Sequence, residues 1–204
     1  MDSRSERKRQ AILDAAAQLF LASGYQGTSM DEIAARAAVS KQTVYKNFAD
    51  KQQLFREIVL DAAVRADDFV LALPGALASS DDLRASLTAL ARQYLATVMQ
   101  PALLRLRRLV ISEAGRFPEL ARDYYERVPE HVLTGLAIQF KQLSDRGLLR
   151  SGDPRLAANH FAFLVIGLPL DSAMFLGPER GMQAQELDRL ADAGVGAFLA
   201  AYGT

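Results

Sequence analysis

The strongest constraint on what this chain can fold into is the spacing of its apolar residues, which recur three and four positions apart along the sequence. No segment shows sustained strand-like alternation bounded by hairpin turns, so an all-α protein is expected. Ile12, Leu13, Ala16, Leu19 and Phe20 form the stripe of a first helix, and Gly24 supplies the left-handed residue that ends it. Ser29 followed by Glu32 is a capping box, in which hydroxyl and carboxylate each satisfy an orphan backbone N–H. It opens a second helix running to about Ala37, with Met30, Ile33, Ala34 and Ala37 on its apolar face. Only Ala38 and Val39 precede Ser40, a second N-cap, so two short helices must cross steeply. The third, Lys41 to Phe48, turns Val44 and Phe48 to one side and leaves Lys41, Gln42, Thr43, Tyr45, Lys46 and Asn47 on the rest. Asp50 with Gln53 repeats the capping arrangement and opens a long fourth helix towards Leu73, where Pro74-Gly75 is expected to break it.

Ser80, Asp81 and Asp82 put a cap and two carboxylates at the start of a helix reaching about Met99. Pro101 and Pro118 bracket another. Pro129 suits a helical first turn, starting a run through Val132, Leu136, Phe140 and Leu143 that Gly147 closes. Asp153-Pro154 gives a cap and first turn to a helix so apolar around Phe161, Phe163, Leu164, Val165 and Ile166 that burial on all sides is expected, with a kink at Pro169. A last helix spans about Gln185 to Tyr202. The expected division is a helix-turn-helix domain over 1-49 and a larger helical domain over 50-204.

Half of the residues are hydrophobic, enough for a sizeable core, and there is no cysteine, which excludes thiolate and disulfide chemistry. The polar N-terminus has no apolar leader region, and no stretch of eighteen apolar residues runs without a charge, so a soluble, cytoplasmic protein with no membrane partner is expected. Lys plus Arg and Asp plus Glu tie at 24 each, so attraction for a polyanion must come from the distribution of charge. Arg4, Arg7, Lys8 and Arg9 crowd the start, and residues 40–48 carry Lys41 and Lys46 with no acid. His131 and His160 lack the spacing of a metal pair, and no nucleophile-base constellation stands out. No catalytic residue, metal or cofactor is therefore expected.

A steeply crossing helix pair with a polar, basic second helix suits a major-groove reader, although the spacing alone also fits a packing hairpin. The residues decide between them. The run TSMDEIAARAAVSKQTVYKNFADKQQLF closely resembles the DNA-binding signature of the TetR family over about the first sixty residues. The likeness includes Gly24-Tyr25, Thr28-Ser29, Ile33, Ala34, Val39-Ser40, Tyr45, Phe48, Lys51 and Leu54. The chain departs from the family's frequent glycines at Ala38, a mild change on the sequence alone, and at Gln42, which adds a hydrogen-bonding side chain near the groove. Thr28 or Ser29 and Lys51 suit phosphate contacts, and Ser40, the N-cap of the third helix, belongs to the same DNA-binding set. Gln42 can pair with adenine, Lys41 and Lys46 can approach guanine or phosphate, the Thr43 methyl can meet thymine, and Asn47 lies on the same polar surface. By resemblance, Tyr45 gives its hydroxyl to phosphate.

Beyond this region the resemblance implies only architecture. Tyr94, Met99, Phe117, Tyr124, Phe140, Phe161, Met174 and Phe175 are candidates to line an apolar effector pocket. The resemblance implies a homodimer whose seam is a four-helix bundle of the last two helices, with Leu187, Ala191, Gly194 and Phe198 as candidates on the last one and the apolar helix containing Phe161 and Leu164 adding buried area, so that Phe198→Asp should yield monomers. The reading is a dimeric repressor that leaves its double-stranded operator when a small, mainly apolar effector binds. The alternative, a helical small-molecule-binding protein with a vestigial helix-turn-helix, is disfavoured by the basic arm and the acid-free third helix.

Overall fold

The computed structural model describes residues 3–78, 82–150, 152–180 and 182–204. Among these the elements are helical, with one isolated antiparallel bridge between Leu149 and Gly203. The expected cap residues Ser80 and Asp81 lie outside the described residues.

The chain forms two compact units: the first runs to Ala63 and also takes in Leu106–Tyr124, and the second holds Val64–Arg105 and Tyr125–Thr204. This differs from the expected division after residue 49. The reason is an aromatic cluster that draws sequence-distant residues into the first unit. Phe20 stacks on Tyr25 at 5.7 Å, and Phe55 lies within 5.4 Å of both rings. Phe117 completes the cluster, 4.9 Å from Tyr25 and 5.9 Å from Phe55.

In the first unit, α1 (Ser3–Ser23) buries Ile12, Ala16 and Phe20 and stops where Gly24 takes φ 73°. Next come α2 (Met30–Arg36), α3 (Lys41–Asn47) and the first half of α4 (Lys51–Ala78), which share a core of Ile33, Val44, Phe48, Leu54 and Phe55. Most of α6 (Pro101–Glu113) and α7 (Pro118–Tyr125) belong here too.

Contrary to the sequence expectation, α4 does not break at Pro74-Gly75 but runs on to Ala78. Proline forfeits one helical hydrogen bond and crowds the preceding turn, a cost of about 3 kcal/mol. Leu73 and Leu77, both buried on either side of it, supply about 1.5–3 kcal/mol each, which offsets that loss. Pro129 also departs from expectation. It opens no helix but sits inside a π-helical turn, Glu126–Glu130, that joins α7 directly to α8 (His131–Asp145). A widened turn at that point is a common way for a helix to pass a residue lacking an N–H.

The second unit contains α5 (Leu83–Val98), capped by the Asp82 carboxylate accepting from Ala85 N at 2.9 Å, together with α8, α9 (Pro154–Leu176) and α10 (Ala184–Tyr202). Gly147, at φ 73°, closes α8 with two reverse bonds, Gly147 N to Ser144 O and Leu148 N to Leu143 O, both 2.9 Å. Asp153 caps α9 through Arg155 N and Leu156 N. The core here is a ring cluster: Phe140, Phe161 and Phe198 lie 5.2–5.4 Å apart, and Tyr202 stacks on Phe198. Gly194 lets α10 cross α9 closely, since a Cβ there would stand 2.9 Å from Leu164 O.

Two expectations change as a result. Helix α9 continues through Pro169 but is not buried all round, because Phe163, Leu164, Leu168, Phe175 and Leu176 face outward. It is also long and apolar enough to cross a membrane, yet Ala157, Phe161, Ala162 and Val165 pack it into the unit's own core. Ala191, Gly194 and Phe198 of α10 are likewise buried inside their own unit, with Leu187 half-buried. The apolar stripe read from the sequence is real, but it faces α9 and α5 of the same chain.

Candidate nucleic-acid interface

The α2–α3 hairpin is built from local rules. The Ser29 hydroxyl accepts from Glu32 N at 3.2 Å while the Glu32 carboxylate accepts from Ser29 N at 2.8 Å, completing the capping box. The bond from the Ser29 hydroxyl holds the Glu32 carboxyl below its ordinary value of 4.5. A depressed carboxyl stabilises the fold above its unfolded value, so the box is complete near neutral pH and is lost as the pH falls through the lowered value. Helix α2 then ends in a Schellman turn, with Val39 N donating to Ala34 O and Ala38 N to Ala35 O. Ala38 therefore occupies the left-handed position at φ 53°, alone among the described non-glycine residues. What the sequence presents as a mild change is a strained one. Ala38→Gly is expected to raise stability by about 1 kcal/mol, read as a higher urea midpoint at unchanged slope; an unmoved or lower midpoint would count against the strain.

Ser40 starts α3, its hydroxyl accepting from Thr43 N at 3.2 Å and meeting the Thr43 hydroxyl at 2.8 Å. Val44 and Phe48 anchor the helix to the core, which turns Lys41, Gln42, Tyr45 and Lys46 outward, with Thr43 and Asn47 half-buried beside them. Tyr45 is 46% exposed, with its hydroxyl free to meet solvent or a partner on that face. Asn47 donates its amide to Thr43 O at 2.8 Å. Lys41 pairs with Asp31 of α2 at 2.8 Å, which raises its pKa. An exposed pair of this kind is worth at most about 1 kcal/mol and opens readily to a stronger anion.

Two expected phosphate ligands are placed otherwise. Thr28 is buried, and its hydroxyl donates inward to Gly24 O at 2.9 Å. Lys51 points back beneath the turn before α2, where its ammonium donates to Tyr25 O and Thr28 O, both at 2.7 Å, and lies 4.4 Å from the Tyr25 ring centre. Partial burial and the nearby Arg116 charge lower its pKa. Arg116 itself sits over the rings of Tyr25 and Phe117. Motif position suggests a phosphate contact, but the carbonyls that capture this ammonium become its neighbours only once α1 and α4 pack.

The eight candidate pocket residues are divided between the two units. Phe117 and Tyr124 belong to the first unit, Phe140 and Phe161 fill the core of the second, and Phe175 is 78% exposed. Tyr94 packs against Phe69 at 5.2 Å, while Met99 and Met174 are half-buried. The histidines have other partners: His131 pairs with Asp67 at 3.0 Å, and His160 bonds the Tyr202 hydroxyl at 2.7 Å.

Comparison with known proteins agrees with this geometry. A family profile described as bacterial regulatory proteins, tetR family, matches residues 12–58, and one described as the AefR-like transcriptional repressor C-terminal domain matches residues 85–204. The crystal structure of a TetR-family transcriptional regulator from Mesorhizobium loti is 44% identical, with both chains fully covered and a TM-score of 0.90. The flavonoid-responsive regulator FrrA is 35% identical over 97% of this chain and 98% of its own, with a TM-score of 0.75. The uncharacterized HTH-type transcriptional regulator YvkB of Bacillus subtilis is 27% identical over 76% of this chain and 78% of its own length. A helical chain with an N-terminal helix-turn-helix and a larger C-terminal helical region is the architecture of a DNA-binding transcriptional regulator. This chain belongs to the TetR family of transcriptional regulators.

Proposed function

We propose that the protein is a cytoplasmic repressor that binds a pseudo-palindromic operator as a homodimer and releases it when a small, mainly apolar effector binds. The observation that carries this reading is the outward apolar stripe of α9. Phe163 at 71% exposed, Leu164, Leu168, Phe175 and Leu176 lie on a helix whose other face is core. Five large apolar side chains exposed on one helix are costly in water, and a second copy of the chain would cover them in an isologous contact. Of the two helices expected to form the seam, α9 offers the exposed apolar side chains, while Ala191, Gly194 and Phe198 of α10 are buried in their own unit. One short helix reads too few bases for an operator, whereas a two-fold pair set about 34–36 Å apart would read a symmetric site.

Within each half-site Gln42 and Thr43 are the base-reading candidates, Lys41 and Lys46 reach either guanine or phosphate, and Ser29, Ser40 and Tyr45 are assigned to phosphate. The repressor assignment and the effector class are supported by the description of the matching C-terminal profile and by the flavonoid response in the name of FrrA. An effector must bind the DNA-free state better than the DNA-bound one, so DNA and effector oppose each other reciprocally. Helix α4 has residues in both units, beginning beside α3 and ending in the larger one.

The test is a double variant, Phe163→Asp with Leu168→Asp. Both positions are exposed, so the monomer should fold. Sedimentation is expected to give monomers, and gel shifts against DNA upstream of the chain's own gene should lose most specific affinity. A double variant that stays dimeric and binds as before would place the seam elsewhere.

A further inference from the structure

We propose that the first turns of α1 belong to the DNA interface, and that Lys8 with Lys46 forms a clamp on one strand of the DNA backbone. The inference rests on the reading that α3 faces DNA. A cleft of about 400 Å³ lies between the two helices, lined by Arg4, Ser5 and Lys8 from α1 and by Thr43, Lys46 and Asn47 from α3. Every lining side chain is cationic or a neutral polar group, so nothing in it repels an anion.

The state of the neighbouring cations sharpens the case. Arg9 is neutralised by Glu57 and lies over the Phe48 ring, and Lys41 is neutralised by Asp31. Lys8 and Lys46 have no ion pair among the described residues. Two exposed ammonium groups on facing walls of one cleft repel each other, and an anion between them relieves that repulsion. The wall from α3 is held in place, because the Thr43 hydroxyl meets Ser40 and the Asn47 amide bonds Thr43 O. A phosphodiester strand is the anion whose position follows from α3. A helix filling the major groove has a sugar-phosphate backbone along its flank, and contacts there fix register without reading sequence. This settles Lys46 as a phosphate ligand rather than a guanine reader, and it gives the basic arm before residue 10 a defined task.

Because phosphate contacts are sequence-independent, an arbitrary duplex of about 30 base pairs serves as the probe, with affinity measured by fluorescence anisotropy across a salt series. Each lost phosphate contact lowers the slope of log K against log salt by about 0.9. Lys8→Ala with Lys46→Ala is expected to flatten the slope by about 2 and to weaken binding roughly tenfold per lysine near 0.1 M salt. Lys141→Ala, on α8, removes the same kind of charge away from the cleft and should leave the slope unchanged. A double variant that keeps the wild-type slope overturns the clamp, as does a Lys141→Ala protein that flattens it equally. A wild-type protein that binds no duplex even at low salt overturns the DNA-facing reading beneath it, and the clamp with it.

Discussion

Phe198→Asp is expected to unfold the second unit, not to release folded monomers. The ring is fully buried, within 5.3 Å of Phe140 and Phe161 and stacked on Tyr202. Replacing it removes a large apolar side chain, at about 3–5 kcal/mol, and puts a carboxylate where no partner is present, which adds several more. Domain stabilities of about 5–15 kcal/mol leave little after such a loss. Circular dichroism in a urea series should show the unit unfolded, or its midpoint greatly lowered, already without any partner. A folded Phe198→Asp monomer with a near-native midpoint would put Phe198 on the surface and restore it to a dimer seam.

That contrast shows which parts of the chain can be read without coordinates. Caps and stops are decided within a few residues. Ser29 with Glu32, Ser40, Asp153-Pro154, Gly24 and Gly147 all behave as their types require, and the helix-turn-helix follows from them. The outward face of α3 was equally legible, because Val44 and Phe48 leave only one way for so short a helix to sit. Burial on a helix that is apolar on every side is another matter. In α9 the sequence offers Phe161 and Phe163 alike, and only packing against α8 and α10 decides that one is core and the other exposed. The same holds for α10, whose apolar stripe is legible in the sequence while the packing that buries Ala191, Gly194 and Phe198 is not. Pro74 misled for a related reason: the local signal says stop, and the burial of Leu73 and Leu77 outweighs it. Ala38 is the converse, a residue whose type gives no hint of the left-handed conformation that the two-residue turn imposes on it.

Lys51 gives the other large expected effect, and here structural and phosphate-binding roles predict different observables. Its ammonium closes the turn between α1 and α2 by donating to Tyr25 O and Thr28 O and by lying over the Tyr25 ring. Charge-assisted hydrogen bonds of this kind contribute about 1.5–3 kcal/mol, and a cation over an aromatic face adds about 0.5–1. Lys51→Met keeps the aliphatic stem and deletes both bonds, leaving two carbonyls to find water in a half-buried turn. A loss of about 2–3 kcal/mol is expected, which discounts the sum because the side chain keeps some exposure. The turn holds Ser29 in place, so α2 and α3 should loosen with it. Specific and nonspecific DNA should then weaken together in proportion to the unfolded fraction, and the salt slope measured well below the melting temperature should keep its wild-type value. A phosphate ligand would do the reverse, leaving stability nearly unchanged and flattening the slope by about 1. A Lys51→Met protein with the wild-type urea midpoint and a flatter slope would return Lys51 to the DNA surface. A lowered midpoint with an unchanged slope fixes it as the residue that holds the approach to the recognition helix.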